Sequence, residues 1–242
     1  MVDVLQRNDL HFKVNTALIM AGGFGTRLKE LTKNTPKPLV MVNGEPMIEH
    51  IMSNVENSGV SKVFIATHYL GDKIVEYFER RANLVEIEFL HEHTPLGTAG
   101  ALTLLLDRTA DNYILVANCD VVTDLDLRGL LSGFSNSPSD VLVTVVKHEL
   151  EVPFGVVRLS GSGDFNGIVE KPKTHSYIAS GVNIVSRDVI KMAPFGEKLD
   201  MPELINRAHK FGLTVRLYPL YEDWVDLGAK KQLLEFEADT IK

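Results

Sequence analysis

The sequence has few of the features that mark secreted, membrane or nucleic-acid-binding proteins. It has one cysteine, Cys119, in 242 residues, which excludes an internal disulfide and favours a reducing compartment. No apolar stretch approaches the roughly 18–20 residues of a membrane helix, and Asp3, Arg7 and Asp9 interrupt any signal-peptide core. The 25 basic residues are outnumbered by 32 acidic ones, for a net charge of −7. This balance argues against nucleic-acid or anionic-membrane partners, and we predict a cytoplasmic protein.

Short apolar runs alternate with amphipathic stretches in the first half of the chain. The pattern predicts strands over 14–20, 38–42, 62–67, 85–90 and 112–117, with helices over 46–58, 72–82 and 98–106. Such alternation predicts an α/β fold with a mostly parallel sheet. Ligands bind such sheets beyond the carboxyl ends of the strands. We therefore expect the loop that follows the first strand and the turn over residues 118–120 to share one cleft.

The second half of the chain is richer in strands. They are predicted over 140–147, 155–159, 167–169, 177–185 and 214–219, with helices over 202–211 and 229–238. Residues 1–13 fit no pattern and are predicted to be an N-terminal arm or the remnant of an upstream module. Residues 14–242 are predicted to form a single domain.

A glycine-rich loop follows the first predicted strand. Gly22, Gly23 and Gly25 let the backbone approach a phosphate closely. Arg27 adds a planar fork that suits phosphate oxygens. The loop fits neither the dinucleotide-binding fingerprint nor the P-loop. Its alternative interpretation is a tight turn with a surface arginine.

Lys37 stands between two prolines, Pro36 and Pro38. Prolines restrict the backbone and so reduce the entropy lost when the lysine is aimed at a ligand. A lysine held in this way can meet a phosphate as a point charge. The alternative is an exposed loop lysine.

Seven motifs in order make the chain resemble the sugar-phosphate nucleotidyltransferases, also called nucleoside-diphosphate-sugar pyrophosphorylases. They are AGGFGTRLKELTKNTPKPLVMVNGEPMIEHI (21–51), PLGTAGAL (95–102), VANCD (116–120), FGVV (154–157), VEKP (169–172), SGVNIV (180–185) and DWVDLG (223–228). The resemblance is to the short form without a C-terminal β-helix. It implies a Rossmann-like three-layer α/β/α fold with a mostly parallel or mixed central sheet. The β-rich second half would bind the sugar.

The resemblance also implies a reaction. These enzymes join a nucleoside triphosphate to a sugar 1-phosphate by in-line attack at the α-phosphorus and release pyrophosphate. By matching positions, Arg27, Lys37, Asp120 and Asp226 would be catalytic. Asp120 and Asp226 would also hold Mg²⁺, which keeps water and phosphate oxygens as its other ligands. Taken alone, either aspartate could be a helix cap or a turn former.

The matching positions also assign the substrates. The nucleotide-binding residues would be Ala21, Gly22, Gly23, Gly25, Thr26, Glu92, Gly97 and Thr98, and the sugar-phosphate-binding residues Gly155, Glu170, Lys171 and Asn183. If Glu92 faces the base, its carboxylate can accept from two guanine donors, whereas uracil and thymine offer one. We therefore favour GTP with a hexose or hexosamine 1-phosphate. A solvated Glu92, and UTP or dTTP as the nucleotide, are the alternatives.

One residue departs from the family pattern. Cys119 stands where the family commonly has glycine, which leaves the identity of the nucleotide open. We interpret this thiol as a packed small residue, because the chemistry needs no nucleophile. A different class of function on the same fold is a non-catalytic subunit that binds nucleotide-sugars, although the chain keeps all four charged catalytic positions. For partners other than the substrates, the resemblance allows a second copy of the chain, in a homo-oligomer, or a regulatory domain fused upstream.

Overall fold

The computed structural model describes residues 12–228, together with 232–234, 236 and 238. The predicted N-terminal arm therefore lies outside the described residues, except for positions 12 and 13. The predicted closing helix over 229–238 is described only at residues 232–234, 236 and 238, which are helical.

The predicted strands occur in the predicted order. The strands are β1 Thr16–Met20, β2 Met41–Val42, β3 Glu45–Pro46, β4 Lys62–Thr67, β5 Glu86–His91, β6 Tyr113–Asn118, β7 Val121–Thr123, β8 Val141–Glu151, β9 Val156–Leu159, β10 Phe165–Val169, β11 Lys173–Ser186, β12 Val215–Leu220 and β13 Trp224–Asp226. Of these, β3, β7 and β13 are additional strands that were not predicted. The α-helices are α1 Met47–Asn57, α2 Gly71–Arg80, α3 Gly97–Gly100, α4 Leu127–Asn136, α5 Arg187–Ile190 and α6 Met201–Lys210. Three 3₁₀ segments cover Thr26–Thr32, Lys37–Leu39 and Ala101–Leu105.

Two predicted elements in the first half were wrong in type. The predicted strand over 38–42 begins as the 3₁₀ turn Lys37–Leu39, and only Met41–Val42 is extended. The predicted helix over 98–106 is one α-turn followed by 3₁₀ structure. The helix α4 was not predicted, although Asp126 caps it by accepting from the Gly129 N–H at 3.0 Å. Its buried residues Leu127, Leu130, Leu131 and Phe134 follow helical spacing.

The central sheet has seven strands in the order β12-β8-β11-β6-β1-β4-β5. All neighbours are parallel except β11, which runs antiparallel to both β6 and β8. In β1, Ala17 and Ile19 face a core built with α1, α2 and α4, whereas Leu18 faces the core that contains α3, α5 and α6. Side chains alternate between the two faces of a strand, so each face of this sheet is covered by helices. The predicted three-layer α/β/α fold with a mixed sheet is confirmed.

A two-stranded arm extends beyond the central sheet. The pairing of β8 with β12 ends at Val146, while β8 continues to Glu151 against the Lys173–Tyr177 part of β11. Because β8 runs parallel to β6, the arm leaves the edge where the parallel strands end. Five more residues on β8 extend it by about 17 Å. The hairpin of β9 and β10 continues the arm and exposes the apolar side chains Val157, Leu159, Phe165 and Ile168.

Candidate active site

The parallel strands end at one edge of the sheet, and a cleft lies there. The loop after β1, Glu92 after β5 and the Cys119–Asp120 turn after β6 all line this cleft, which has a volume of about 290 Å³. The in-register pairing of β1 with β4 and β6 aligns their ends at Met20, Ala66 and Asn118. The prediction that the glycine-rich loop and the 118–120 turn share one cleft is confirmed.

The four predicted catalytic side chains converge beside Gly228. A Cβ atom built on Gly228 would lie 2.6 Å from Asp226 Oδ1, 3.0 Å from Arg27 Nη2 and 3.2 Å from Asp120 Oδ2. Lys37 forms an ion pair with Asp120. A residue with a side chain would therefore collide with these groups at position 228. The two carboxylates and two cations lie close together.

Pairing of distant segments brings Asp226 to Asp120. The strand β13 pairs antiparallel with β7, which places Asp226 opposite Val121. The Leu227 N–H then donates to the Asp120 carbonyl at 2.9 Å. Because β7 follows β6 after a two-residue turn, the two aspartates lie at the same strand end although they are far apart in sequence.

The two carboxylates affect each other electrostatically. Burial, followed by the negative charge of Asp120, raises the pKa of Asp226 above its usual range. The Gly228 N–H donates to Asp226 Oδ1 at 2.6 Å, and this bond together with Lys37 and Arg27 lowers the pKa in part. Two converging carboxylates form an oxygen donor set that suits a hard divalent cation.

The described residues contain no group of three or more histidine, cysteine and acidic side chains placed to hold a metal ion. A site with only two protein carboxylates fits Mg²⁺, which usually keeps several waters and binds substrate phosphates as well. The donor set at Asp120 and Asp226 is therefore compatible with the predicted cofactor.

The 3₁₀ turn at Lys37 explains how this lysine reaches the cleft. The Leu39 N–H donates to the Pro36 carbonyl at 2.9 Å and the Val40 N–H to the Lys37 carbonyl at 3.1 Å. Pro38 can occupy the middle of the turn because it has no N–H to donate. Lys37 is 9% exposed, so the alternative of an exposed loop lysine is wrong.

Two glycines of the loop after β1 are fixed by close neighbours. Gly25 has a φ of 64°, and a Cβ there would lie 2.7 Å from Thr32 Cγ2 and 3.1 Å from Lys37 Cβ. A Cβ on Gly22 would lie 2.8 Å from Glu92 Oε1. The loop is therefore packed against catalytic and cleft residues, and the Arg27 guanidinium lies near the two carboxylates beside Gly228. Arg27 is exposed, so the alternative of a tight turn with a surface arginine is right about its exposure but leaves out these contacts.

Glu92 is buried in the wall of the cleft. It is 4% exposed, so the alternative of a solvated side chain is wrong. Its Oε2 accepts from the Leu96 N–H at 2.7 Å, while Oε1 faces Gly22. Burial raises the pKa of Glu92, and the Leu96 N–H and two histidines, His68 and His91, lower it in part.

Six of the eight predicted nucleotide-binding residues line the cleft: Ala21, Gly22, Gly23, Glu92, Gly97 and Thr98. The other two, Gly25 and Thr26, are not among the residues that line it, and Thr26 begins the 3₁₀ segment after Gly25. Cys119 is buried beneath the cleft, and burial raises the pKa of its thiol to about 12. This agrees with a packed residue rather than a nucleophile.

A second cavity of about 450 Å³ adjoins the cleft and shares Thr98 and Asn118 with it. Asp226, Trp224 and the predicted sugar-site residue Asn183 line it as well. Asn183 is buried, and its Oδ1 has no hydrogen-bond partner among the described residues. An orphaned acceptor in a cavity wall calls for a donor from a ligand or water.

Three of the four predicted sugar-phosphate residues lie away from both cavities. Gly155, Glu170 and Lys171 sit on the arm, where a Cβ on Gly155 would lie 3.0 Å from Glu170 Oε2. The Lys171 N–H donates to the Phe154 carbonyl at 3.2 Å. All three line neither the cleft nor the second cavity. The structure thus brings Gly155, Glu170 and Lys171 together, but not to Asn183.

Sequence reasoning missed several residues that line the cavities. Asn118 lines both cavities; the turn over 118–120 was expected at the cleft, but sequence reasoning gave Asn118 no role there. Phe24 lines the cleft and forms aromatic contacts with His68 and Tyr69. Trp224 lines the second cavity and donates to the Ser180 carbonyl at 2.8 Å, a contact that no local pattern predicts.

Comparisons with known proteins give the family. The family model described as nucleotidyl transferase matches residues 16–242, and the chain belongs to this family. It is 31% identical to the mannose-1-phosphate guanylyltransferase catalytic subunit beta of Drosophila melanogaster and 33% identical to that of Xenopus tropicalis. Each match covers 90% of this chain, which spans only 60% and 62% of the length of these relatives.

A solved structure shares the fold over nearly the whole chain. The crystal structure of HddC from Yersinia pseudotuberculosis superposes with a TM-score of 0.73 at 25% sequence identity. The match covers 95% of this chain and all of HddC. In the part of the chain that the structure describes, no helix has the length and apolar character to cross a membrane.

Proposed function

We propose that the protein transfers a guanylyl group from GTP to a sugar 1-phosphate and releases pyrophosphate. The observation that carries this proposal is the convergence of Arg27, Lys37 and Asp120, which line the strand-end cleft, with Asp226, which lines the adjoining cavity. An acidic protein that handles two phosphorylated substrates needs its cations gathered at one point, and this cluster provides them.

The cluster suits in-line attack on the α-phosphorus. Such chemistry depends on positioning and on stabilising the charge that develops, with little covalent work for the protein. Arg27 would bind the triphosphate through its planar fork and Lys37 as a point charge, and both would stabilise the leaving pyrophosphate.

The family generally uses a divalent metal, and we assign Mg²⁺ to Asp120 and Asp226. When bound, the ion would polarise phosphate oxygens and neutralise their charge. Lys37 pairs with Asp120 in the structure, so it would lie close enough to the metal site to contact the phosphates of a bound nucleotide.

Glu92 supports GTP as the nucleotide. A buried carboxylate whose Oε2 is held by the Leu96 N–H presents fixed acceptors to the cleft. Guanine offers two adjacent donors on its Watson–Crick edge, and uracil and thymine offer one. The relatives named mannose-1-phosphate guanylyltransferases agree with this choice.

The sugar is proposed to be a hexose or hexosamine. The second cavity, with the orphaned Asn183 Oδ1, would take the sugar ring. Mannose 1-phosphate is the first candidate because the relatives are named for it. Glu170 and Lys171 would reach the sugar and its phosphate from the arm, so we expect the arm to move toward the cavity when substrate binds.

The test is pyrophosphate release by the protein with Mg²⁺, each of GTP, UTP, dTTP, CTP and ATP, and each of mannose, glucose and glucosamine 1-phosphates. We expect release with GTP that requires both the sugar phosphate and the divalent cation. Pyrophosphate release with UTP or dTTP but not with GTP would contradict the assignment of guanine as the base. Tight GTP binding without release from any pair would instead favour the non-catalytic subunit.

A further inference from the structure

Two chain segments that are far apart in sequence are joined between the two cavities. One is α3 (Gly97–Gly100), and the other is the loop that leads into α6. The Leu199 carbonyl accepts from the Ala99 and Gly100 N–H groups at 2.9 and 3.0 Å, and the Leu199 N–H donates to the Leu96 carbonyl at 2.9 Å. These backbone bonds seat the loop on α3.

Asp200 forms a side-chain hydrogen bond with α3 instead of capping its own helix. It is the N-cap residue of α6, where an aspartate usually accepts from its own helix, but it makes no such bond. Instead its Oδ1 accepts from the Thr98 N–H at 3.2 Å. In return the Met201 N–H, the first of α6, donates to Thr98 Oγ1 at 2.8 Å. We name this exchange the Thr98–Asp200 clamp.

The clamp leaves no free space around Gly97. This glycine has a φ of 73°, and a Cβ there would lie 2.5 Å from Asp200 Oδ1 and 2.7 Å from the Leu199 carbonyl oxygen. Close-packed groups transmit displacement instead of absorbing it. A shift of Gly97 or Thr98 must therefore shift the start of α6.

The clamp connects the walls of both cavities. Gly97 and Thr98 line the nucleotide cleft, and Thr98 also lines the second cavity. Across the clamp, the first turns of α6 line the second cavity with Met201, Pro202 and Asn206. A ligand in one cavity thus touches the same hydrogen-bonded unit as a ligand in the other.

We propose that Asp200 is a positioning residue that couples the binding of the two substrates. Nucleotide in the cleft fixes Gly97 and Thr98, and the clamp then holds the start of α6 in the arrangement that receives the sugar phosphate. By linkage, the sugar phosphate strengthens nucleotide binding by the same factor. This inference rests on the proposed function.

The test measures this coupling directly. Calorimetry gives the affinity of the wild-type protein for mannose, glucose and glucosamine 1-phosphates, with and without α,β-methylene-GTP and Mg²⁺. The methylene bridge prevents transfer at the α-phosphorus. We expect the analogue to tighten the binding of the sugar phosphate by about fivefold or more.

Three variants separate coupling from stability. Asp200→Ala removes the acceptor at an exposed position, and we expect the coupling factor to fall below about twofold. Asp200→Asn keeps an acceptor oxygen and should retain the coupling. Asp126→Ala is the matched control, because it removes an N-cap aspartate that bonds to its own helix α4, away from both cavities. It should couple like the wild type.

The outcomes distinguish the two proposals. If wild type binds the analogue and a sugar phosphate independently, or if Asp200→Ala keeps the full coupling, this inference is overturned while the proposed function stands. If wild type binds no analogue, or binds none of the three sugar phosphates when the analogue is present, both fail together.

Discussion

The strand-end cleft and the arm contribute to the proposed site in different ways. Around the cleft, the catalytic groups are held by close contacts that leave no room for a Cβ on Gly22, Gly25 or Gly228. On the arm, Glu170 and Lys171 are exposed and line neither cavity. The close contacts mean that the nucleotide half of the proposed site is already formed in this structure, whereas we propose that the sugar-phosphate half is completed when the arm moves.

The largest effect is expected when one of the two carboxylates beside the cleft is replaced by an amide. Asp226→Asn and Asp120→Asn keep the size of the side chain but lose its charge. We expect each to lower kcat by at least about 100-fold, since electrostatic groups at the reacting phosphate act in the transition state. Steady-state pyrophosphate release gives kcat, and thermal unfolding checks that the fold is intact. Asp223→Asn, an exposed neighbour outside the cluster, is the control, and near-normal turnover in either variant would refute the metal assignment.

A methyl group in the cleft tests how tightly it is built. Gly22→Ala places a Cβ 2.8 Å from Glu92 Oε1 and should displace this carboxylate. We expect GTP to bind about tenfold more weakly, the effect of losing one charge-assisted hydrogen bond. Gly133→Ala is the matched variant, because nothing lies within 4 Å of its Cβ and it lies on α4, outside the lining of both cavities. Equal losses in the two variants, measured by titration with GTP, would mean that Glu92 does not contribute to nucleotide binding.

A lysine pair on the arm tests the other half. Lys171→Ala should raise KM for the sugar phosphate by about tenfold, as expected for a lost charged hydrogen bond to phosphate, and leave KM for GTP nearly unchanged. Lys173→Ala lies two residues away and removes a lysine that pairs with Glu149 at 2.7 Å. If both substitutions raise KM equally, the effect belongs to the shape of the arm rather than to contact with substrate.

The smallest expected effect concerns stability. Burial raises the pKa of Glu92, so folding favours its protonated form, and the ionised form costs stability above that pKa. Glu92→Gln should therefore raise the melting temperature at neutral pH by about 2–4 °C, the shift that roughly 1 kcal/mol gives in a chain of this length. Thermal unfolding across pH should show this gain shrinking as pH falls through the raised pKa. A gain that is independent of pH would show that the charge is not its cause.

The meeting of distant strand ends could be predicted from the sequence. Parallel strands end at one edge of a sheet, so the sequence could place the loop after β1 and Asp120 after β6 at the same edge, whereas the direct pairing of β1 with β6 is seen only in the structure. Asp226 came only from the family resemblance, because β13 reaches this edge by pairing with β7. The helix α4 was also within reach, since Asp126 and the apolar spacing that follows it indicate a helix.

Other features depend on packing that no local pattern encodes. Lys37 lies in a proline-rich segment that is equally typical of an exposed loop, and only the tertiary contacts of its 3₁₀ turn bury it. The bond between Thr98 and Asp200 joins residues 102 apart in the chain. The position of Lys171 depends on how far β8 and β11 extend beyond the sheet, which the alternation of side chains along a strand does not determine.

Titration of the wild-type protein and Glu92→Gln with GTP and with UTP, in the presence of Mg²⁺, tests the central claim most directly. The account predicts that the wild type binds GTP at least about tenfold more tightly than UTP, as one well-placed charged hydrogen bond would give, and that the Gln variant loses most of this preference. UTP binding as tightly as GTP, or a preference for GTP that survives in Glu92→Gln, would contradict the assignment of the cleft as a preformed guanine nucleotide site read by Glu92.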